Sequence, residues 1–208
     1  MKVTVLILAA VCSYLLSGVN LSIILSNAIY HTDIREVGSK NPGFTNFKRS
    51  FGGKYAWLVM AFDLLKAALP CVLFGFAFEA CGMDRQFGTA YAGAFSMLGH
   101  AFPVYYRFKG GKGFLVCLAA VWALDWRSGA IAAALLVVLL LTVKYMSLST
   151  MCALTAGAVS LYFFSCDLAA ALLYSACVLF MIFRHKENIK RLVKGTESKF
   201  ILFRKKSE

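Results

Sequence analysis

Charge is scarce in this chain, and acid is scarcer than base. Only 15% of the 208 residues are charged, with ten Asp and Glu against 22 Lys and Arg. That share is too low for an ordinary soluble domain, where about 25% is usual. No CxxC pair and no Cys/His cluster occurs. The seven cysteines, Cys12, Cys71, Cys81, Cys117, Cys152, Cys166 and Cys177, are scattered and sit mostly in apolar runs. Such spacing supplies neither a zinc site nor a redox pair, and the thiols read as small core hydrophobes. The polar loops hold no carboxylate cluster, so neither a metal nor a cofactor is expected. A GxSxG elbow is missing too. No His is followed by Asp in the HxxxxD spacing: the fifth residue after His100 is Tyr105, and after His185 it is Lys190. Covalent catalysis by an activated serine is therefore disfavoured.

What the chain does contain is hydrocarbon. Sixty per cent of it is hydrophobic and the mean hydropathy is +0.71, the profile of a polytopic membrane protein. A net charge of +12 points to anionic partners. Among long apolar runs that partner is the lipid surface, and nucleic acid is not expected. The opening run has a short basic start at Lys2 but no convincing cleavage site, so it reads as a retained helix.

Apolar runs fall at residues 3–29, 55–78, 88–106, 114–124, 129–143, 146–166 and 168–183. They predict an all-α membrane protein with about seven transmembrane helices and one integral-membrane domain over residues 1–208. The fourth and fifth are short against the roughly 20 residues a span needs. Polar segments occupy about 31–54 and 107–113, with a basic tail at 184–208. Seven crossings put these segments and Lys144 on one side, with 18 of the 22 Lys and Arg; Lys2, Arg85 and Arg127 lie opposite, and Lys66 is within a span. Basic loops stay in the cytoplasm, so the amino terminus is expected outside and the tail inside.

The stretch Phe108-Lys109-Gly110-Gly111-Lys112-Gly113 sets two lysines among three glycines at the edge of a span. Glycine lets backbone approach a ligand and leaves N–H groups to converge on an anion, while lysine adds a full positive charge. A phosphate site at the bilayer surface is the expected use; a flexible loop that only fixes topology is the alternative. In the first polar segment Ser39, Asn41, Thr45 and Asn46 can donate to phosphate oxygens or to nearby backbone, around a turn at Pro42-Gly43. Arg49 adds a planar fork for phosphate or carboxylate. Asp63 and Lys66 lie three apart on one helical face, spaced for a mutual ion pair, although the lysine stem can also reach toward an interface. His100 precedes the glycine–lysine stretch. His185 and Asn188 share a face just after the last run.

Three blocks together resemble one family. Gly38-Ser39-Lys40-Asn41-Pro42-Gly43-Phe44-Thr45-Asn46 with Arg49 is similar to its GSxNPGxTN…R block. Gly99-His100-Ala101-Phe102-Pro103-Val104 with Phe108-Lys109-Gly110-Gly111-Lys112-Gly113 is similar to GHxFPV…FKGGKG. Arg184-His185-Lys186-Glu187-Asn188-Ile189-Lys190-Arg191-Leu192 with Gly195-Thr196-Glu197 is similar to RHxENIxRLxxGxE. The family is the bacterial acyl-phosphate:glycerol-3-phosphate acyltransferase, PlsY. The chain departs from it at Ser17-Gly18-Val19-Asn20, where a Gly-Ser-Ile-Pro-like stretch is frequent, and at Lys40, Phe44, Ala67, Phe114 and Leu115.

The resemblance implies an inner-membrane enzyme, with its site facing the cytoplasm. It implies acyl transfer from acyl phosphate to the 1-hydroxyl of glycerol 3-phosphate, giving lysophosphatidic acid and phosphate without an acyl-enzyme. Ser39, Arg49, Lys112, His185 and Asn188 are the expected catalytic set, with Ser39 serving binding or orientation and nucleophile as its alternative. Asn41, Gly43, Thr45, Asn46, Lys66, His100, Lys109, Gly110, Gly111, Gly113, Arg191 and Glu197 are the expected substrate and phosphate contacts. Membrane lipids and, functionally, the enzyme that supplies acyl phosphate are the implied partners. Either the donor's phosphate or one of His100 and His185 takes the proton. A small transporter or lipid flippase is the rival reading, because intramembrane charges such as Asp63 and Lys66 often mark a pathway.

Overall fold

The computed structural model describes residues 1–165 and 167–200. Cys166, at the end of the sixth apolar run, and 201–208 of the basic tail lie outside the described residues. The helices are α1 (Lys2–Gly18), α2 (Leu21–Tyr30), α3 (Phe44–Phe51), α4 (Ala56–Ala80), α5 (Arg85–Ala101), α6 (Phe114–Leu124), α7 (Trp126–Thr142), α8 (Met146–Phe164), α9 (Leu168–Arg184) and α10 (Lys186–Val193), with a 3₁₀ turn at Val104–Tyr106. No strand occurs among the described residues. In hydrocarbon a chain must satisfy its own backbone, and helices do so within one segment.

By length and apolarity three stretches suffice to cross a membrane: Lys2–Tyr30, Ala56–Ala80 and Met146–Phe164. A fourth is Leu168–Arg184 joined to Lys186–Val193 across a 57° bend. The other runs expected as spans form helices that are short or less apolar. α5 carries glycines, Thr89, Ser96 and His100 because it packs against α1, α4, α6 and α9, which shield it from lipid. α6 has 11 residues and meets α7 at a break of one residue. There Asp125 accepts from the amides of Arg127 at 2.9 Å and Ser128 at 3.1 Å, capping α7.

The first apolar run, expected as one helix, is broken at Val19 and Asn20. Asn20 caps α2 by accepting from the Ile23 amide at 3.1 Å, and its Nδ2 donates to the Pro42 carbonyl at 3.1 Å. The Val19 carbonyl, released from the helix ladder, accepts from Lys66 Nζ at 2.8 Å. Lys66 also pairs with Asp63 at 2.8 Å, as the three-residue spacing predicts.

Polar contacts gather the helix ends at two poles. At one, Lys2 donates to the Gly82 carbonyl, Gln86 Oε1 accepts from Ser165 and the Asp167 amide, and Arg127 donates to the Phe164 carbonyl. At the other lie the first polar segment, the glycine–lysine stretch and α10; there Arg35 donates to the Tyr106 carbonyl at 3.2 Å. The main apolar core, built from α4 through α9, includes Cys71, Met97, Cys117, Ala132, Leu154 and Tyr174. Cys71 and Cys117 are thus core residues, whereas Cys12 and Cys152 are exposed.

Candidate active site

At the second pole a cavity of about 110 Å³, room for several waters, opens between α3, α6, α8 and α10. Ser39, Asn41, Gly43, Thr45, Asn46 and Arg49 line it from the first polar segment. His100, Lys112 and Gly113 line it from the middle of the chain, and His185, Asn188, Arg191 and Glu197 from the tail. Segments up to 159 residues apart in sequence therefore meet (Ser39 to Ser198). Lys66, Lys109, Gly110 and Gly111 do not line the cavity.

The first wall is more ordered than a polar loop. Phe44, Phe47 and Phe51 recur at helical spacing and stick to the cluster of Ile23, Ile34 and Val59, so α3 forms with its other face toward the cavity. The expectation of a polar segment over residues 31–54 missed this helix; the spacing of the phenylalanines was the signal that could have found it. Asn46 is committed to the fold: its Oδ1 accepts from the Ser39 amide at 2.8 Å, and its Nδ2 donates to the carbonyls of Ile34 at 3.2 Å and Val37 at 3.0 Å. Both amide hydrogens are thereby used, so Asn46 shapes the loop that presents Ser39. Arg49 is exposed and its guanidinium makes no ion pair among the described residues.

The glycine–lysine stretch is held differently from the expectation of free, converging amides. The Gly110 amide donates to the Ala101 carbonyl at 3.2 Å and the Gly111 amide to the His100 carbonyl at 3.0 Å. These two glycines satisfy the end of α5 and dock the stretch on it. Gly111 lies so close to the His100 ring that an added Cβ would sit 2.2 Å from Nε2. Gly113 has φ +87, which favours glycine. Arg184 completes the clamp, donating to the Gly110 and Gly111 carbonyls at 3.2 and 3.0 Å, its guanidinium 5.0 Å from the Phe102 ring centre. Lys109 is exposed outside the cavity, while Lys112 turns inward.

Lys112 donates to Asn188 Oδ1. Asn188 Nδ2 donates to Glu197 Oε1 at 2.7 Å, and the same oxygen accepts from Ser147 Oγ at 2.8 Å. Arg191 Nε pairs with the other oxygen at 2.7 Å. Burial pushes Glu197 up, but the bonds from Asn188, Arg191 and Ser147 outweigh it and hold the carboxyl below its usual range. Burial, helped by the charges of Arg191 and Arg184 and opposed by Glu197, brings Lys112 down to about 8. Arg191 is answered by Glu197 and Asp63 by Lys66, so Arg49 and Lys112 supply the cavity's uncompensated positive charge.

His185 is 5% exposed, and its Nδ1 lies 2.9 Å from the Met181 carbonyl. A carbonyl only accepts, so Nδ1 carries the hydrogen and Nε2 keeps its lone pair. Burial, with Lys112 and Arg184 nearby, pushes the ring down to about 4 despite the Met181 bond and Glu197. It is a neutral acceptor at pH 7 and a weak base. Ser39 is exposed, and no hydrogen bond among the described residues joins its hydroxyl to a histidine. Sequence reasoning missed Ser147, Thr150, Met146 and the clamp Arg184; the first three sit at the start of α8, within an apolar run that carries no polar-loop signal.

The chain's relatives agree on one identity. The family described as Glycerol-3-phosphate acyltransferase matches residues 7–195. A "Glycerol-3-phosphate acyltransferase" of Francisella philomiragia is 35% identical over 91% of this chain and 90% of its own length. The one of Lactiplantibacillus plantarum is 32% identical over 95% and 92%. A crystal structure of PlsY (YgiH), an integral membrane glycerol 3-phosphate acyltransferase in its glycerol 3-phosphate form, superposes with a TM-score of 0.86 at 30% identity, covering 94% of this chain and 96% of that one. Its lysophosphatidic acid form gives 0.81 at 28% identity, covering 94% and 95%. With its long apolar helices and these relatives, the protein is a multi-pass membrane acyltransferase, and it belongs to the glycerol-3-phosphate acyltransferase family.

Proposed function

We propose that this enzyme moves a fatty acyl group from acyl phosphate to the 1-hydroxyl of glycerol 3-phosphate, releasing lysophosphatidic acid and inorganic phosphate. The observation that carries this reading is the meeting of Arg49, Lys112 and Asn188 in one cavity, a cationic setting suited to two phosphate-bearing reactants. The solved PlsY forms with glycerol 3-phosphate and lysophosphatidic acid support acceptor and product. The hydroxyl oxygen attacks the acyl carbonyl carbon, the carbon–oxygen bond to phosphate breaks, and phosphate leaves. Acyl phosphate is already activated, so positioning and charge stabilisation suffice without an acyl-enzyme. Lys112 and Arg49 steady the phosphate charge, and the exposed Ser39 orients substrate. Lys66, engaged by Asp63 and Val19, supports the site from behind.

The proton goes to the departing phosphate, with His185 Nε2 accepting a hydrogen bond that orients the reacting hydroxyl. His185→Gln is then expected to lower kcat by less than about tenfold, measured as phosphate release by monodisperse protein. A loss of about 10²–10⁴-fold would make His185 the base instead; the same measurement on His100→Gln tests the other histidine. The ammonium form of Lys112 binds phosphate, so kcat/KM should hold steady below pH 8 and fall as pH rises through about 8. In the kcat profile the fall moves to higher pH, because bound phosphate stabilises the ammonium. A kcat/KM flat to pH 9.5 would remove Lys112 from phosphate binding.

We place the protein in the bacterial inner membrane with about seven crossings, amino terminus outside and tail and cavity cytoplasmic. The basic loops and the gathering of Lys2, Gly82, Gln86 and Arg127 at the pole away from the cavity support this. The deciding assay supplies purified protein with acyl phosphate and glycerol 3-phosphate and detects lysophosphatidic acid by mass spectrometry. No product with acyl phosphate, but product with an acyl thioester, would sink the proposed donor.

A further inference from the structure

Two polar walls of the cavity come from elements packed on different parts of the bundle. α3 brings Thr45, Asn46 and Arg49 and rests on α2 and α4. α10 and the residues after it bring Asn188, Arg191 and Glu197, and α10 rests on α8 and α9. Residues 195–200 run from the second wall to the first. Gly195 turns the chain at φ +67, and the amides of Thr196 and Glu197 donate back to the Arg191 carbonyl at 2.8 and 3.2 Å. Three residues beyond Glu197, the Phe200 amide donates to the Lys144 carbonyl at 2.6 Å, between α7 and α8. Its ring packs on the cluster that holds Phe44 and Phe47 of α3. The ring centre is 5.0 Å from Lys48 Nζ, which also lies 5.2 Å from the Trp57 ring centre. Lys48 is the chain neighbour of Arg49. Phe200 itself does not line the cavity.

We propose that Phe200 is a positioning residue that clasps α3 to the tail and so fixes the separation between Arg49 and the Lys112–Asn188–Glu197 network. The inference rests on the phosphate-binding reading above. A phosphate held across both walls is bound well only if their spacing is set before it arrives. Loosening the clasp leaves every group that touches the phosphate in place but widens the range of separations they sample. The cost then falls on binding, not on the chemical step.

The test compares wild type with Phe200→Ala, Phe200→Leu and Phe200→Tyr in detergent. Phe200→Ala is expected to raise KM for glycerol 3-phosphate about tenfold while changing kcat less than about threefold. Phe200→Tyr should return KM to within about twofold of wild type, because it keeps the ring over Lys48, and Phe200→Leu should fall between. A wild-type KM for Phe200→Ala, or equal rescue by Leu and Tyr, would overturn the clasp. If Phe200→Ala does not yield folded protein, Phe200→Leu decides alone: a KM raised at least about threefold is expected, and an unchanged one overturns the proposal. Inorganic phosphate separates this failure from failure of the proposed reaction. Its half-saturating concentration for thermal protection should rise about tenfold in Phe200→Ala, or at least about threefold in Phe200→Leu where Ala does not fold, whether or not acyl phosphate is the donor; an unchanged value overturns the clasp.

Discussion

Replacing Lys112 by methionine is expected to lower kcat/KM about 10³-fold while leaving the fold intact. The side chain is half-buried at the cavity wall, and its stem length is nearly kept by methionine, so packing changes little. The charge is what disappears. A further loss follows from its neighbour: Asn188 Oδ1 is left without a donor. Arginine at the same place restores charge but brings a wide planar fork where a compact ammonium fits, and recovers only part of the rate. The measurement is product formation alongside a thermal melt of the solubilised protein. Activity within tenfold of wild type at an unchanged melting temperature would show that Lys112 is not a principal phosphate ligand.

Gly110→Ala should be as damaging for a different reason. A Cβ there would stand 2.1 Å from the His100 carbonyl oxygen, 2.5 Å from Pro103 Cδ and 3.0 Å from the Ala101 carbonyl oxygen. Backbone and a proline ring cannot rotate aside, so the stretch must lift off the end of α5. The amide bonds of Gly110 and Gly111 go with it, and so do the Arg184 contacts. Overpacking of this kind costs about 1–3 kcal/mol or more. Activity is expected to drop at least about 100-fold, with a lower melting temperature, because Lys112 is aimed by the same docking. The neighbouring Lys109→Ala is the contrast: exposed and outside the cavity, it should stay within about threefold of wild type. A Gly110→Ala protein with normal turnover would mean the stretch is not docked as seen.

Much of this was legible in the linear chain, and the exceptions have physical causes. Long apolar runs became helices because hydrocarbon leaves backbone no other partner, and Asp63 and Lys66 met because three residues make nearly one turn. The three motif blocks converge on one cavity. The break at Asn20 was hidden because a single asparagine amid a run this apolar hardly alters its hydropathy, yet it caps α2 and reaches Pro42. Glycine-rich sequence suggested open amides; it does not say that two of them will be taken by the carbonyls ending the preceding helix. Ser147 was out of reach altogether, since a serine opening an apolar run carries no sign of the carboxylate that folds back onto it from Glu197. Arg184 looked like one more basic residue of the tail, and only the packing shows it clamping the glycines.

The brevity of α6 sets how far the cavity lies from the opposite pole. Its 11 residues rise about 16 Å, near half the hydrocarbon thickness, from the pole where Arg127 meets Phe164. Gly113 and Phe114, where the helix starts, line the cavity, so only about three turns of helix separate it from the opposite pole. In the proposed reaction a fatty tail then lies among the helices or the lipid beside them with only its polar end in the cavity, and the water-soluble reactant does the travelling.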